Sequence, residues 1–125
     1  MTEFEIGSGQ MKVMRILWKK KRATAQEIID ELSENEIVRR STIQTFLRVL
    51  VKKGVIDYDT DDRTFVYYPV IAKEDIAQYA FQGFVDHVFN GSMEGFLSFF
   101  VNNKYIPAEK QEKIQRILET GEDEE

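Results

Sequence analysis

The stretch Ser41-Thr42-Ile43-Gln44-Thr45-Phe46-Leu47-Arg48-Val49-Leu50-Val51-Lys52-Lys53-Gly54 decides how the rest of the chain is read. Ile43, Phe46, Leu47, Leu50 and Val51 recur at helical spacing and form one apolar stripe. Thr42, Thr45, Arg48 and Lys52 fall on the opposite side, flanked by Ser41 and Gln44. Ser41 with Gln44 fits a capping box, and Gly54 is suited to a left-handed stop. A solvated helix usually carries acids paired with cations. Between Ile37 and Ile56 this chain has no acid, while Arg39, Arg40, Arg48, Lys52 and Lys53 are all cationic. Hydroxyls, an amide and guanidinium groups are the side chains that meet base edges and phosphates.

The neighbouring segments supply a scaffold. Ser8 to Lys20 reads as a first helix with Met11, Met14, Ile16, Leu17 and Trp18 on its apolar side. The basic cluster Lys19 to Arg22 is read as complementing that helix's dipole. Thr24-Ala25-Gln26-Glu27 is a capping box opening a second helix, with Ile28, Ile29 and Leu32 inward. After Gly54, Val55–Tyr58 and Phe65–Tyr68 read as short strands joined by the polar turn Asp59–Thr64, and Pro69 ends the second strand. Helix, helix, helix, hairpin is the order of a winged helix-turn-helix domain. The expected wing is acidic around Arg63, so its DNA contact is assigned mainly to that one cation.

The second half differs in composition. Residues 1–70 carry 12 Lys+Arg against 11 Asp+Glu, whereas residues 71–125 carry 5 against 11, so the net charge of −5 arises C-terminally. The local basic surface is therefore compatible with DNA despite the negative total. Three further helices are expected: Glu74–Phe89, then Ser92 to Asn102, then Pro107 to about Glu119. Six of the nine phenylalanines (81, 84, 89, 96, 99 and 100) lie here, more apolar surface than three short helices can bury among themselves. The expectation is a homodimer through Phe81, Phe84, Val85, Val88, Phe96, Leu97, Phe100, Ile114, Ile117 and Leu118. The fold class is thus mainly α with a small β-wing. A winged-helix DNA-binding domain spans 1–70, a helical dimerisation domain 71–120, and an acidic tail expected to be disordered 121–125.

Other chemistries find no support. With no cysteine in the chain, disulfides and thiolate metal sites are excluded. His87 is the only histidine, beside Asp86, and has no second ligand at helical spacing, so no metal and no cofactor is expected. Gly7-Ser8-Gly9 lacks the lysine of a phosphate loop. No nucleophile arrangement is present, so the chain is not read as an enzyme. No apolar run is long enough for membrane insertion and the N-terminus has no signal-peptide character, which points to a cytoplasmic protein. The alternative reading is a winged-helix protein-interaction module without DNA binding, motivated by the acidic wing and negative charge.

Four segments carry a resemblance. They are Val13-Met14-Arg15-Ile16-Leu17-Trp18, then Thr42-Ile43-Gln44-Thr45 with Leu50-Val51-Lys52-Lys53-Gly54, then Arg63-Thr64-Phe65-Val66-Tyr67-Tyr68-Pro69, and Phe89-Asn90-Gly91-Ser92. In order and spacing the chain resembles the penicillinase repressor family (the BlaI/MecI type) over nearly its whole length. The resemblance implies a homodimeric repressor that binds a palindromic double-stranded DNA operator, typically of β-lactam resistance genes. Beside the resemblance, the DNA-binding residues expected from the acid-free helix and the wing tip themselves are Arg39, Arg40, Ser41, Thr42, Gln44, Thr45, Arg48, Lys52, Lys53 and Arg63. It also implies release by proteolysis in the C-terminal domain, triggered by a membrane sensor protease pathway, with Phe99-Phe100 at the position of the family's Asn-Phe cleavage bond. Two departures stand out: Val49 occupies a position where the family often has arginine, and Phe99-Phe100 replaces the family's Asn-Phe bond, which puts cleavage control in doubt. The Cys-x-Cys pattern of the copper-sensing branch is missing, so the resemblance is to the penicillinase repressor branch.

Overall fold

The computed structural model describes residues 5–103 and 106–123. Its elements are α1 (Ser8–Lys20), β1 (Ala23–Thr24), α2 (Ala25–Leu32), α3 (Arg40–Lys53), β2 (Ile56–Asp61), β3 (Thr64–Pro69), α4 (Lys73–Val88), α5 (Met93–Val101) and α6 (Ala108–Thr120). The expected order of helices and hairpin is present. One compact unit runs to Gln82 and another begins at Gly83, so the division falls within α4.

The first unit closes on one core. Val13, Met14, Ile16 and Leu17 of α1 meet Ile28 and Ile29 of α2 and Ile43, Leu47 and Leu50 of α3, with Val55 and Ile56 beneath. Burying side chains of this size stabilises by about 1.5–3 kcal/mol each before the entropy of ordering them is counted. Ile76 belongs to the same core, Ile71 packs against it, and the Trp18 indole N–H donates to the Ile71 carbonyl at 3.0 Å. The 70/71 boundary expected from sequence therefore lies short of the compact unit. Apolar anchors beyond the last strand carry the core into α4.

Local chemistry explains most element ends. The Thr24 hydroxyl accepts from the Glu27 amide, and the Glu27 carboxylate accepts from the Thr24 amide, the reciprocal cap expected at α2. Gly54 stops α3 at φ +80°, a conformation that costs a side-chain-bearing residue more. The second expected capping box is absent. The extended residue Arg39 is the N-cap of α3 and makes no side-chain cap, while Ser41 already lies inside the helix. The Thr42 and Ile43 amides bond the Arg39 carbonyl instead, so the helix begins two residues earlier than a Ser41 cap would dictate.

The hairpin is longer and tighter than the sequence suggests. Pairing runs from Ile56↔Pro69 to Asp61↔Thr64, leaving Asp62 and Arg63 as the turn, both at positive φ. Two left-handed residues match the natural twist of paired strands, so the polar stretch can stay in the ladder. The short strand β1 was not expected. It pairs with β3 through Ala23↔Tyr67 and Thr24↔Val66, giving the sheet order β1-β3-β2. Two residues are too few to show alternation in a sequence.

In the second unit the Ser92 hydroxyl accepts from the Gly95 amide and caps α5 as expected. Phe84, Phe89, Phe96, Phe99 and Phe100 form a chain of ring contacts with centroids 5.6–6.2 Å apart. Neither α5 nor α6 contains a buried residue among those described. Residues 121–123 form no regular structure, and the rest of the expected tail lies outside the described residues.

Candidate nucleic-acid interface

The apolar stripe of α3 is seated as its spacing requires: Ile43, Leu47 and Leu50 are buried, and Phe46 and Val51 are half-buried. Arg39, Arg40, Ser41, Thr42, Gln44, Thr45, Arg48 and Lys52 are all exposed. One helix thus turns an uncharged stripe to the core and an acid-free polar face to solvent. Fixing the stripe fixes the direction of Thr42, Thr45, Arg48 and Lys52, because they share the same rigid backbone.

Not every cation joins that face. The half-buried Lys53 ammonium donates to the Glu5 carbonyl and, at 3.3 Å, to Gln10 Oε1, so it fastens α3 to the start of the chain. Arg40 donates to Gln26 Oε1 on α2. Lys19 and Lys20 both pair with Glu31, a contact the dipole reading did not anticipate. The hydrogen bond from Lys19 holds the Glu31 carboxyl below its ordinary pKa, with the charges of Lys19 and Lys20 acting in the same direction.

The wing separates its aromatic and acidic residues by strand alternation. Tyr58 opposes Tyr67 and Thr60 opposes Phe65 on one face, while Asp57, Asp59 and Asp61 oppose Tyr68, Val66 and Thr64 on the other. Arg22 pairs with Asp59 at 2.6 Å and lies 5.0 Å from the centre of the Tyr68 ring, on that second face. The remaining rings form a stacked platform, with Tyr58 and Phe65 centred 4.3 Å apart. Together with Gln44, Arg48 and Val51 of α3, Tyr58, Phe65 and Tyr67 line a groove of about 390 Å³. Burial pushes the Tyr67 hydroxyl above its ordinary pKa and Tyr58 adds to the shift, while the Arg48 cation opposes both. Sequence reasoning missed these rings as surface features. Period-two alternation was the available signal, once the turn is placed at Asp62-Arg63.

The expected dimerisation residues are dispersed. Phe84, Val88, Leu97 and Leu118 are exposed, and Phe96, Phe100, Ile114 and Ile117 are half-buried. Val85 is buried at 1% exposure and cannot present its side chain to a partner, which corrects its expected place on that face. Phe81 is half-buried and lies in the first compact unit. Phe99 and Phe100 sit within α5, the first exposed and the second half-buried. Among the described residues no cluster of His, Cys, Asp or Glu could hold a metal ion, and no helix is long and apolar enough to cross a membrane.

A three-helix core with a hairpin wing, presenting its third helix to solvent, defines a winged-helix regulator. The chain belongs to the penicillinase repressor family, whose model matches residues 6–120. It is 30% identical to the penicillinase repressor of Bacillus licheniformis over 115 residues, covering 92% of this chain and 90% of that one. It is 32% identical to the methicillin resistance regulatory protein MecI of Staphylococcus aureus (strain N315), covering 92% and 94%. The solution structure of the DNA-binding domain of the repressor BlaI superposes with a TM-score of 0.52 at 37% identity, over 57% of this chain and 87% of that one. The family consists of transcriptional repressors, not enzymes.

Proposed function

We propose that this chain is a homodimeric repressor that sets α3 into the major groove of a palindromic operator. One observation carries the reading: a buried apolar stripe aims an exposed, acid-free face of Thr42, Gln44, Thr45, Arg48 and Lys52 outward. Thr45 and Gln44 suit base edges and thymine methyls, and Arg48 suits guanine or phosphate. Arg39, Ser41 and Lys52 supply backbone contacts at either end of the helix, and Arg63 is a minor contact at the wing tip. Lys53 and Arg40 act through the protein, by holding α3 to Gln10 and to Gln26.

Pairing is supported by the exposure of Phe99 at 52%, Leu97 at 40% and Leu118 at 58% on helices with no buried residue. An identical chain would cover this surface and place two α3 helices on half-sites about one or more helical turns apart. The names of the relatives support β-lactam resistance genes as the regulated class. A sensor-triggered protease acting at Phe99-Phe100 would be the inducing step, and it would have to unwind α5 to reach that bond.

Titration of fluorescent promoter-region duplexes tests the reading. Affinity should fall steeply with added salt as cations displace condensed counterions. Arg48→Ala should weaken binding more than Arg63→Ala. Equal losses would overturn the priority of helix over wing tip, and salt-independent binding would overturn the DNA reading.

A further inference from the structure

We propose that the wing meets DNA through its aromatic face, receiving a sugar–phosphate strand in the groove beside α3, and not chiefly through its tip. The inference rests on the α3 reading above and names what the neighbouring groove accepts. The groove of about 390 Å³ has Tyr58, Phe65 and Tyr67 on one side and Gln44, Arg48 and Val51 on the other. Tyr58 and Phe65 are exposed at 37% and 42%, and their stacked rings leave apolar edges and outer faces open to solvent. A deoxyribose offers C–H groups to such a surface, and the adjoining phosphate offers oxygens to a guanidinium or a phenol. Tyr67 holds its proton through the neutral range and so remains a donor.

Charge places the strand on this face and not on the other. Asp57, Asp59 and Asp61 alternate onto the opposite side of the sheet, where a phosphate would be repelled. The groove side has Arg48 as its cation and continues directly from the acid-free face of α3. The usual basic wing gathers phosphates by charge. This one gathers the backbone by apolar contact, so its contribution releases few counterions and is nearly independent of salt.

The test uses the full chain and promoter-region duplexes at several salt concentrations. Phe65→Ala should weaken binding about tenfold while leaving the salt slope as in the unsubstituted chain. Arg48→Ala should instead lower the slope by about one phosphate's worth. Wild-type affinity for Phe65→Ala would overturn the proposal, and so would a loss accompanied by a lower slope. Should Phe65→Ala unfold the wing, 3-fluorotyrosine NMR of the otherwise unsubstituted chain decides. The Tyr58 and Tyr67 signals, assigned through Tyr→Phe variants, should shift on adding duplex, and unmoved signals would overturn the proposal. Failure of the unsubstituted chain to show salt-dependent binding would instead remove the α3 reading itself.

Discussion

Replacing Gly9 by alanine should loosen the seat of α3 without touching its outer face. A Cβ at Gly9 would lie 2.8 Å from Phe46 Cζ and 2.9 Å from Phe46 Cε2. Both are at the far end of the ring, so Phe46 must move or α1 must back away. Overpacking of this kind costs about 1–3 kcal/mol. The higher helix propensity of alanine offsets at most about 1 kcal/mol. The expected net destabilisation is about 1–2 kcal/mol, a fall in Tm of roughly 4–16 °C for a unit of this size. Urea or thermal unfolding followed by circular dichroism measures it. The decisive comparison is a double-mutant cycle with Phe46→Leu, which removes the offending ring atoms. In that background Gly9→Ala should become neutral or stabilising. An equal cost in both backgrounds, or no cost in the first, would refute the steric account. Because Phe46 lies on the same helix as Arg48, Gly9→Ala should also weaken DNA binding.

Further consequences follow from other contacts. Trp18→Phe leaves the Ile71 carbonyl without its 3.0 Å donor and should cost about 1 kcal/mol in urea unfolding, and wild-type stability would show the bond to be idle. The depressed Glu31 pKa adds stability that is present above the unfolded-state value and is lost as pH falls through the folded one. Glu31→Gln should therefore flatten the fall in Tm between about pH 5 and pH 3, and parallel curves for the two proteins would exclude the effect. Leu97→Glu, at a position 40% exposed in α5, should convert a dimer to monomer in analytical ultracentrifugation while the first unit stays folded. A dimer that persists would move the pairing surface elsewhere.

Much of the architecture is legible in the residues because it rests on local periodicity. The α3 stripe, the Thr24–Glu27 box, the Gly54 stop and the Ser92 cap each depend on neighbours within a few positions. Ser41 misled for a related reason: a capping pattern is local, but the helix could begin two residues earlier on the Arg39 carbonyl. The place of Ile71 and Ile76 in the first core was not legible, because they are recruited by residues far away in sequence.

By itself, the sequence determined the helix order, an acid-free polar face opposite an apolar stripe, the hairpin and the family. These follow from spacing along one backbone. Only the tertiary structure decided which cations are free. Lys53 and Arg40 are held by Gln10 and Gln26, while Arg48 borders the groove. Tertiary structure also divided the wing, because strand register sends its acids to one face and its rings to the other. A count of aspartates near Arg63 cannot show that separation, since pairing across a sheet sets the face on which a charge acts.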